Sequence, residues 1–120
     1  MALPSRRFCK RLEVRKIKIA IASKGKDENS EISDQAGRSP YYLIFDEKGE
    51  LLEVISNPFR IGGGGAGFAV AKMLADREVN LVIAGKIGDK MKGALETRGL
   101  KYQEKSGIVK EVLEELKKSF

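Results

Sequence analysis

The chain's hydrophobic pattern begins as a strand: in Lys16-Ile17-Lys18-Ile19-Ala20-Ile21-Ala22 the isoleucines recur at every second position, a period that puts them on one face of extended chain. Two further apolar runs, Tyr41-Tyr42-Leu43-Ile44-Phe45-Asp46 and Leu51-Leu52-Glu53-Val54-Ile55-Ser56, flank Glu47-Lys48-Gly49-Glu50. Gly49 can take the positive φ of a tight turn, so the runs predict an antiparallel hairpin. Between the first strand and this hairpin, residues 24–39 are polar and carry Gly25 and Gly37. They predict a long loop ending before Pro40, and loops of that length inside a small domain are often functional.

After Asn57-Pro58 the period changes. Residues 66–75 are apolar on nearly every side except Lys72, which predicts a largely covered helix, and the small residues Ala66, Gly67, Ala69 and Ala71 let it lie close on a sheet. Val79 to Gly85 is a short, mostly apolar run after a helix, the pattern of a buried parallel strand. Ile87, Met91, Ala94 and Leu95 then recur at helical spacing from about Asp89, and Gly99 stands where a left-handed residue closes a helix. Leu100 to Gln103 predicts a short last strand. Ser106 is the expected N-cap of a final helix striped by Ile108, Val109, Val112, Leu113 and Leu116. One strand, a hairpin, and then helix, strand, helix, strand, helix predict an α/β domain in which a mixed five-stranded sheet carries helices on its faces.

Length and charge narrow this picture. The chain has 120 residues and a net charge of +6, enough for one core and not two. Arg6, Arg7, Lys10, Arg11, Arg15, Lys16 and Lys18 face only Glu13 in the first 18 residues; removing these seven cations and one acid leaves sixteen of each sign. Residues 1–15 are therefore expected to form a basic arm outside a single domain at 16–120. The arm is read as a disordered, solvated tail, with contact to phosphates or anionic lipid as the alternative. The balanced body carries no general nucleic-acid signature. Without an apolar run long enough to span a bilayer or serve as a signal peptide, the chain is expected to be cytoplasmic.

Histidine is absent and Cys9, in the arm, is the only cysteine. One copy of the chain cannot assemble a zinc site or a thiolate-ligated iron–sulfur cluster from the usual ligands, and histidine acid–base chemistry is excluded. The strongest local signal is the run Gly62-Gly63-Gly64-Gly65-Ala66-Gly67 leading into a helix. Residues without Cβ let backbone N–H groups approach a ligand, and a helix amino terminus favours an anion. No acidic residue closes the next strand as a dinucleotide site requires, since Gly85-Lys86-Ile87-Gly88 stands there; this repeats a glycine-flanked helix start and adds a cation. Arg38 offers a further positive contact. Candidate binding residues are thus Arg38, Gly62, Gly63, Gly64, Gly65, Ala66, Gly67, Lys86 and Gly88, with no catalytic and no metal-ligating residue assigned. The alternatives are a phosphate-handling enzyme with magnesium on Asp27, Glu28, Glu31 and Asp34, and an interaction module whose glycine loop is only structural.

The Ile-rich first strand, Gly37-Arg38-Ser39-Pro40-Tyr41-Tyr42, Asn57-Pro58, Gly63-Gly64-Gly65-Ala66-Gly67, Val82-Ile83-Ala84-Gly85-Lys86-Ile87-Gly88, and Gly99-Leu100-Lys101 before Ser106-Gly107 together resemble the dinitrogenase iron-molybdenum cofactor biosynthesis family, which includes NifX and the carboxy-terminal domain of NifB. The resemblance spans about residues 16–118. It implies a ribonuclease H-like three-layer α/β/α fold without nuclease activity, and a non-enzymatic protein that binds or carries an iron–sulfur or iron-molybdenum cluster precursor, with a protein partner in cluster assembly. The chain departs from the family motif at one place: Gln35 and Ala36 stand where a histidine and often a phenylalanine precede the glycine.

Overall fold

The computed structural model describes residues 17–58 and 66–119. Five strands and three helices follow one another as β1 (Lys18–Ser23), β2 (Tyr41–Asp46), β3 (Leu51–Ser56), α1 (Ala66–Asp76), β4 (Leu81–Ala84), α2 (Asp89–Thr97), β5 (Lys101–Glu104) and α3 (Val109–Ser119). The sheet order is β3-β2-β1-β4-β5. β2 runs antiparallel to both β1 and β3, while β1, β4 and β5 are parallel. The carboxyl ends of β1, β3, β4 and β5 therefore share one edge of the sheet with the start of β2. The expected arm, with Cys9, lies outside the described residues, as do Gly62, Gly63, Gly64 and Gly65.

Alternation along β1 sorts the core into two layers. Ala20 and Ala22 face one side with Tyr42, Ile44, Ile55, Val82 and Ala84, covered by Val70, Ala71 and Leu74 of α1 and Met91 and Leu95 of α2. Ile19 and Ile21 face the other with Leu43, Phe45 and Ile83, under Val109, Val112, Leu113 and Leu116 of α3. This is the three-layer, ribonuclease H-like α/β/α arrangement that the family resemblance implies. The two small alanines of β1 lie beneath the pair of helices, and the two isoleucines beneath the single one. One helix cannot cover five strands, which leaves Leu52 and Val54 of the edge strand β3 half-exposed.

Turns follow their residues. Gly49 has φ 88° and Gly99 φ 79°, and the Asp46 carboxylate fixes the hairpin by accepting from the Lys48 and Glu50 amides at 2.9 Å each. One expectation is corrected. Ser106 does not cap the last helix, because Ile108 pairs with Glu31 in an isolated bridge and the helix starts only at Val109. Its first amides are taken by the long loop instead, Val109 N–H donating to the Ser30 carbonyl at 3.0 Å and Lys110 N–H to that of Glu28 at 2.8 Å. Residues 24–39 form the expected long loop, held as a strap across the carboxyl edge by these bonds. Backbone amides need partners wherever water is excluded, and here the strap supplies them.

Candidate functional site at the carboxyl edge

The strap is built from the buried polar residues. Ser23, Ser33, Ser39 and Asn57 are the buried polar side chains among the described residues, and all four sit at this edge. The Ser23 hydroxyl donates to the Gly25 carbonyl at 2.8 Å. That of Ser39 reaches the carbonyls of Ser23 and Tyr41, at 3.1 and 2.7 Å. Asn57 Nδ2 donates to the carbonyls of Gly37 and Ser39, at 3.2 and 2.9 Å, while its backbone amide donates to that of Pro40 at 2.9 Å. The Tyr42 hydroxyl, fully buried, donates to the Ala36 carbonyl, and burial drives its ionisation far above the ordinary phenol range. It is a fixed neutral donor. These bonds hold Gly37 and Arg38 between the ends of β1 and β3.

A second set of bonds ties the strap to the β4–α2 loop and to β1. Gly85 N–H donates to the Ser33 carbonyl at 2.8 Å, Ala36 N–H to the Lys86 carbonyl at 3.0 Å, and Ser33 N–H to the Ala22 carbonyl at 2.9 Å. The approach is so close that a Cβ on Gly85 would stand 2.9 Å from both the Asp34 Cα and the Ser33 carbonyl oxygen. Arg38 and Lys86 are thus carried by segments stitched together. Lys86 and Gly88 are exposed and Arg38 is half-buried.

The amino termini of α1 and α2 meet here. A Cβ on Gly67, the second residue of α1, would lie 3.0 Å from the Cβ of Met91, the third of α2. Glycine at this position lets the two helix starts lie side by side. No side chain caps the amino terminus of α2, and the first-turn amides of any helix lack intrahelical acceptors. Two positive dipole ends therefore point toward one edge, beside the loops that carry Arg38 and Lys86.

Two of the four acidic loop residues have partners of their own. Asp27 Oδ1 accepts from the Asn29 amide at 2.9 Å and the Ser30 hydroxyl at 3.3 Å, and Glu31 lies 3.7 Å from Lys24. Among the described residues no three Asp, Glu, Cys or His side chains come together as a metal site, so the magnesium-holding cluster weighed from the sequence does not assemble.

One functional group was not visible from the sequence. Glu104, at the end of β5, accepts a 2.8 Å hydrogen bond from the Ile87 amide and lies 3.6 Å from Lys92 Nζ. The amide bond is the largest cause that draws its carboxyl below the ordinary 4.5; burial opposes it, and Lys92 and then Lys86 reinforce it. A depressed folded-state value contributes stability above the unfolded value, and that stability is lost as pH falls through the folded one. Wild type is therefore expected to lose thermal stability on acidification below about pH 4.5, with Glu104→Gln shrinking that acid limb in melts recorded across pH. An unchanged limb would show that the carboxylate is not engaged.

An open groove of about 700 Å³ lies elsewhere. It is lined by Ile17, Asn80, Leu81, Leu100 and Tyr102 at the opposite edge of the sheet, where Tyr102 already donates to Glu96 at 2.6 Å. Neither helix amino terminus lines it. We place the site by its donors and charges, not by volume.

A mixed-sheet, three-layer α/β domain with paired helix starts and cations on one edge is the class this fold and site define. The dinitrogenase iron-molybdenum cofactor family model matches residues 15–119, and the chain belongs to that family. Among solved structures, a Thermotoga protein assigned as NifB is 31% identical with a TM-score of 0.71, covering 85% of this chain and 88% of its own. The orange protein of Desulfovibrio gigas, in its apo form, is 22% identical with a TM-score of 0.79 over 85% of this chain and 88% of its own. A protein of Methanocaldococcus jannaschii assigned as a dinitrogenase is 16% identical, with a TM-score of 0.53 over 84% and 91%. These last two show the fold alone. No curated protein matches the chain.

Proposed function

We propose that the chain is a non-enzymatic binding or carrier protein of the iron-molybdenum and iron–sulfur cofactor assembly type, which holds an anionic ligand or an anionic metal cluster as cargo at its carboxyl edge. The carrying observation is the meeting of the α1 and α2 amino termini, Gly67 against Met91, beside a strap and loop joined by the Ala36–Lys86 backbone bond. Family membership supports the same reading. Arg38, Lys86 and Gly88 belong to this site, together with Gly62, Gly63, Gly64, Gly65, Ala66 and Gly67 on the segment that leads into α1.

The donor set decides how the cargo is held. With no histidine and Cys9 as its only thiol, and no trio of ligating side chains among the described residues, the protein does not fit direct coordination of a cluster. It fits outer contact, in which amides and cations hydrogen-bond an anion that keeps its own ligands. Anaerobic mixing with iron and sulfide, followed by ultrafiltration, an iron count and a visible spectrum, tests this reading. Iron and cluster absorption should stay with wild type and with Cys9→Ser, and fall by about tenfold when both Arg38→Glu and Lys86→Glu are introduced. An iron-free, colourless protein, or retention that depends on Cys9, would contradict it.

A further inference from the structure

The Lys86–Gly88 loop already has an anion on it. Glu104 Oε2 sits 2.8 Å from the Ile87 amide and 3.6 Å from Lys92 Nζ, and Lys86 also acts on its charge. Each of these groups is one that an incoming anion at the start of α2 would use. Resting on the reading of the carboxyl edge as an anion site, we infer that Glu104 is an internal competitor that sets which ligands the site accepts.

Charge decides the competition. Glu104 leaves the end of β5, which pairs in parallel with β4, Ala84 opposite Glu104. That register brings the carboxylate beside the loop that follows β4. Its side chain is 40% exposed and that of Lys92 33%, so nothing encloses the pair and an external anion can reach both. A singly charged ligand gains little by displacing a carboxylate of equal charge that is already tethered in place. A multiply charged anion gains more from the same amide, from Lys86 and Lys92, and from the two helix starts. Glu104 thereby disfavours monoanions such as formate and acetate and leaves the site to multiply charged ligands, of which inorganic phosphate near pH 8 is the simplest probe. When no ligand is bound, Glu104 partners the Ile87 amide and Lys92, and Asp89 is a further acid in the first turn of α2.

The test is calorimetric titration of phosphate and, separately, acetate into the full chain and its Glu104→Gln variant. Glutamine keeps an oxygen acceptor for the Ile87 amide and removes the charge. Glu104→Gln should bind phosphate roughly three- to tenfold more tightly than wild type at low salt, and should gain measurable acetate binding. In amide spectra of the variant, the Ile87 resonance should move with added phosphate, a response that a merely structural glutamate would not produce. Phosphate binding by wild type that Glu104→Gln leaves unchanged or weakens overturns this inference and leaves the site reading standing. Absence of phosphate binding in both proteins overturns both.

Discussion

Gly85→Val should destabilise the domain by more than about 3 kcal/mol, and Gly85→Ala by about 2 kcal/mol. The reason is the crossing of the strap over the end of β4. An added Cβ would meet the Asp34 Cα and the Ser33 carbonyl oxygen at 2.9 Å, and both are backbone atoms that no rotamer change can move. Relief requires the strap to lift, which also strains the 2.8 Å bond from Gly85 N–H to Ser33 and the 3.0 Å bond from Ala36 N–H to Lys86. Urea unfolding midpoints for both variants, read at constant slope, measure the loss. Hydrogen exchange at Ser33 and Ala36 should accelerate beyond what the global loss accounts for, because the strap opens first. A valine variant within 0.5 kcal/mol of wild type, a margin typical of innocuous surface changes, would show that the strap does not press on β4.

Asn57→Ala should be the second large effect, about 2–3 kcal/mol, or on the order of 10–15 °C in Tm for a domain of this size. Asn57 is 2% exposed and its amide group donates to the Gly37 and Ser39 carbonyls. Truncation leaves buried acceptors without this donor, and that costs more than the bonds themselves contribute. Asn57→Asp is nearly the same size, yet it replaces the donor with a charge facing two carbonyls, so it should be at least as damaging. If aspartate were tolerated while alanine was not, packing and not hydrogen bonding would hold the strap. Both variants should also weaken anion binding, because they release the segment that carries Arg38.

The order of strands and helices was legible because its signals are local. The alternation in β1, the Gly49 turn, the Ala-rich α1 and the Gly99 helix end each depend on neighbours a few residues away. The converging helix starts were also legible, since a glycine-flanked loop after successive strands places both on one edge. The strap was not legible, because its bonds join backbone atoms far apart in sequence, such as Ile32 to Gly107 and Val109 to Ser30, and leave no pattern in residue type. Ser33, Ser39 and Asn57 look like ordinary loop residues until the fold buries them. The serine rule failed at Ser106 for the same reason: carbonyls from the strap took the helix amides, and the helix began three residues later. Glu104 was hidden because its partner, the Ile87 amide, becomes a neighbour only through the pairing of β4 with β5.

An anion site of amides and cations at the carboxyl edge has a direct readout. The most direct test is an amide-resolved magnetic resonance titration of the uniformly nitrogen-15-labelled full chain with inorganic phosphate. The account predicts shifts confined to Gly37, Arg38, Gly67 and Lys86 through Gly88, with Asn80, Leu100 and Lys101 at the opposite edge unmoved. Shifts centred on Asn80, Leu100 and Lys101, around the groove beside Tyr102, would contradict it.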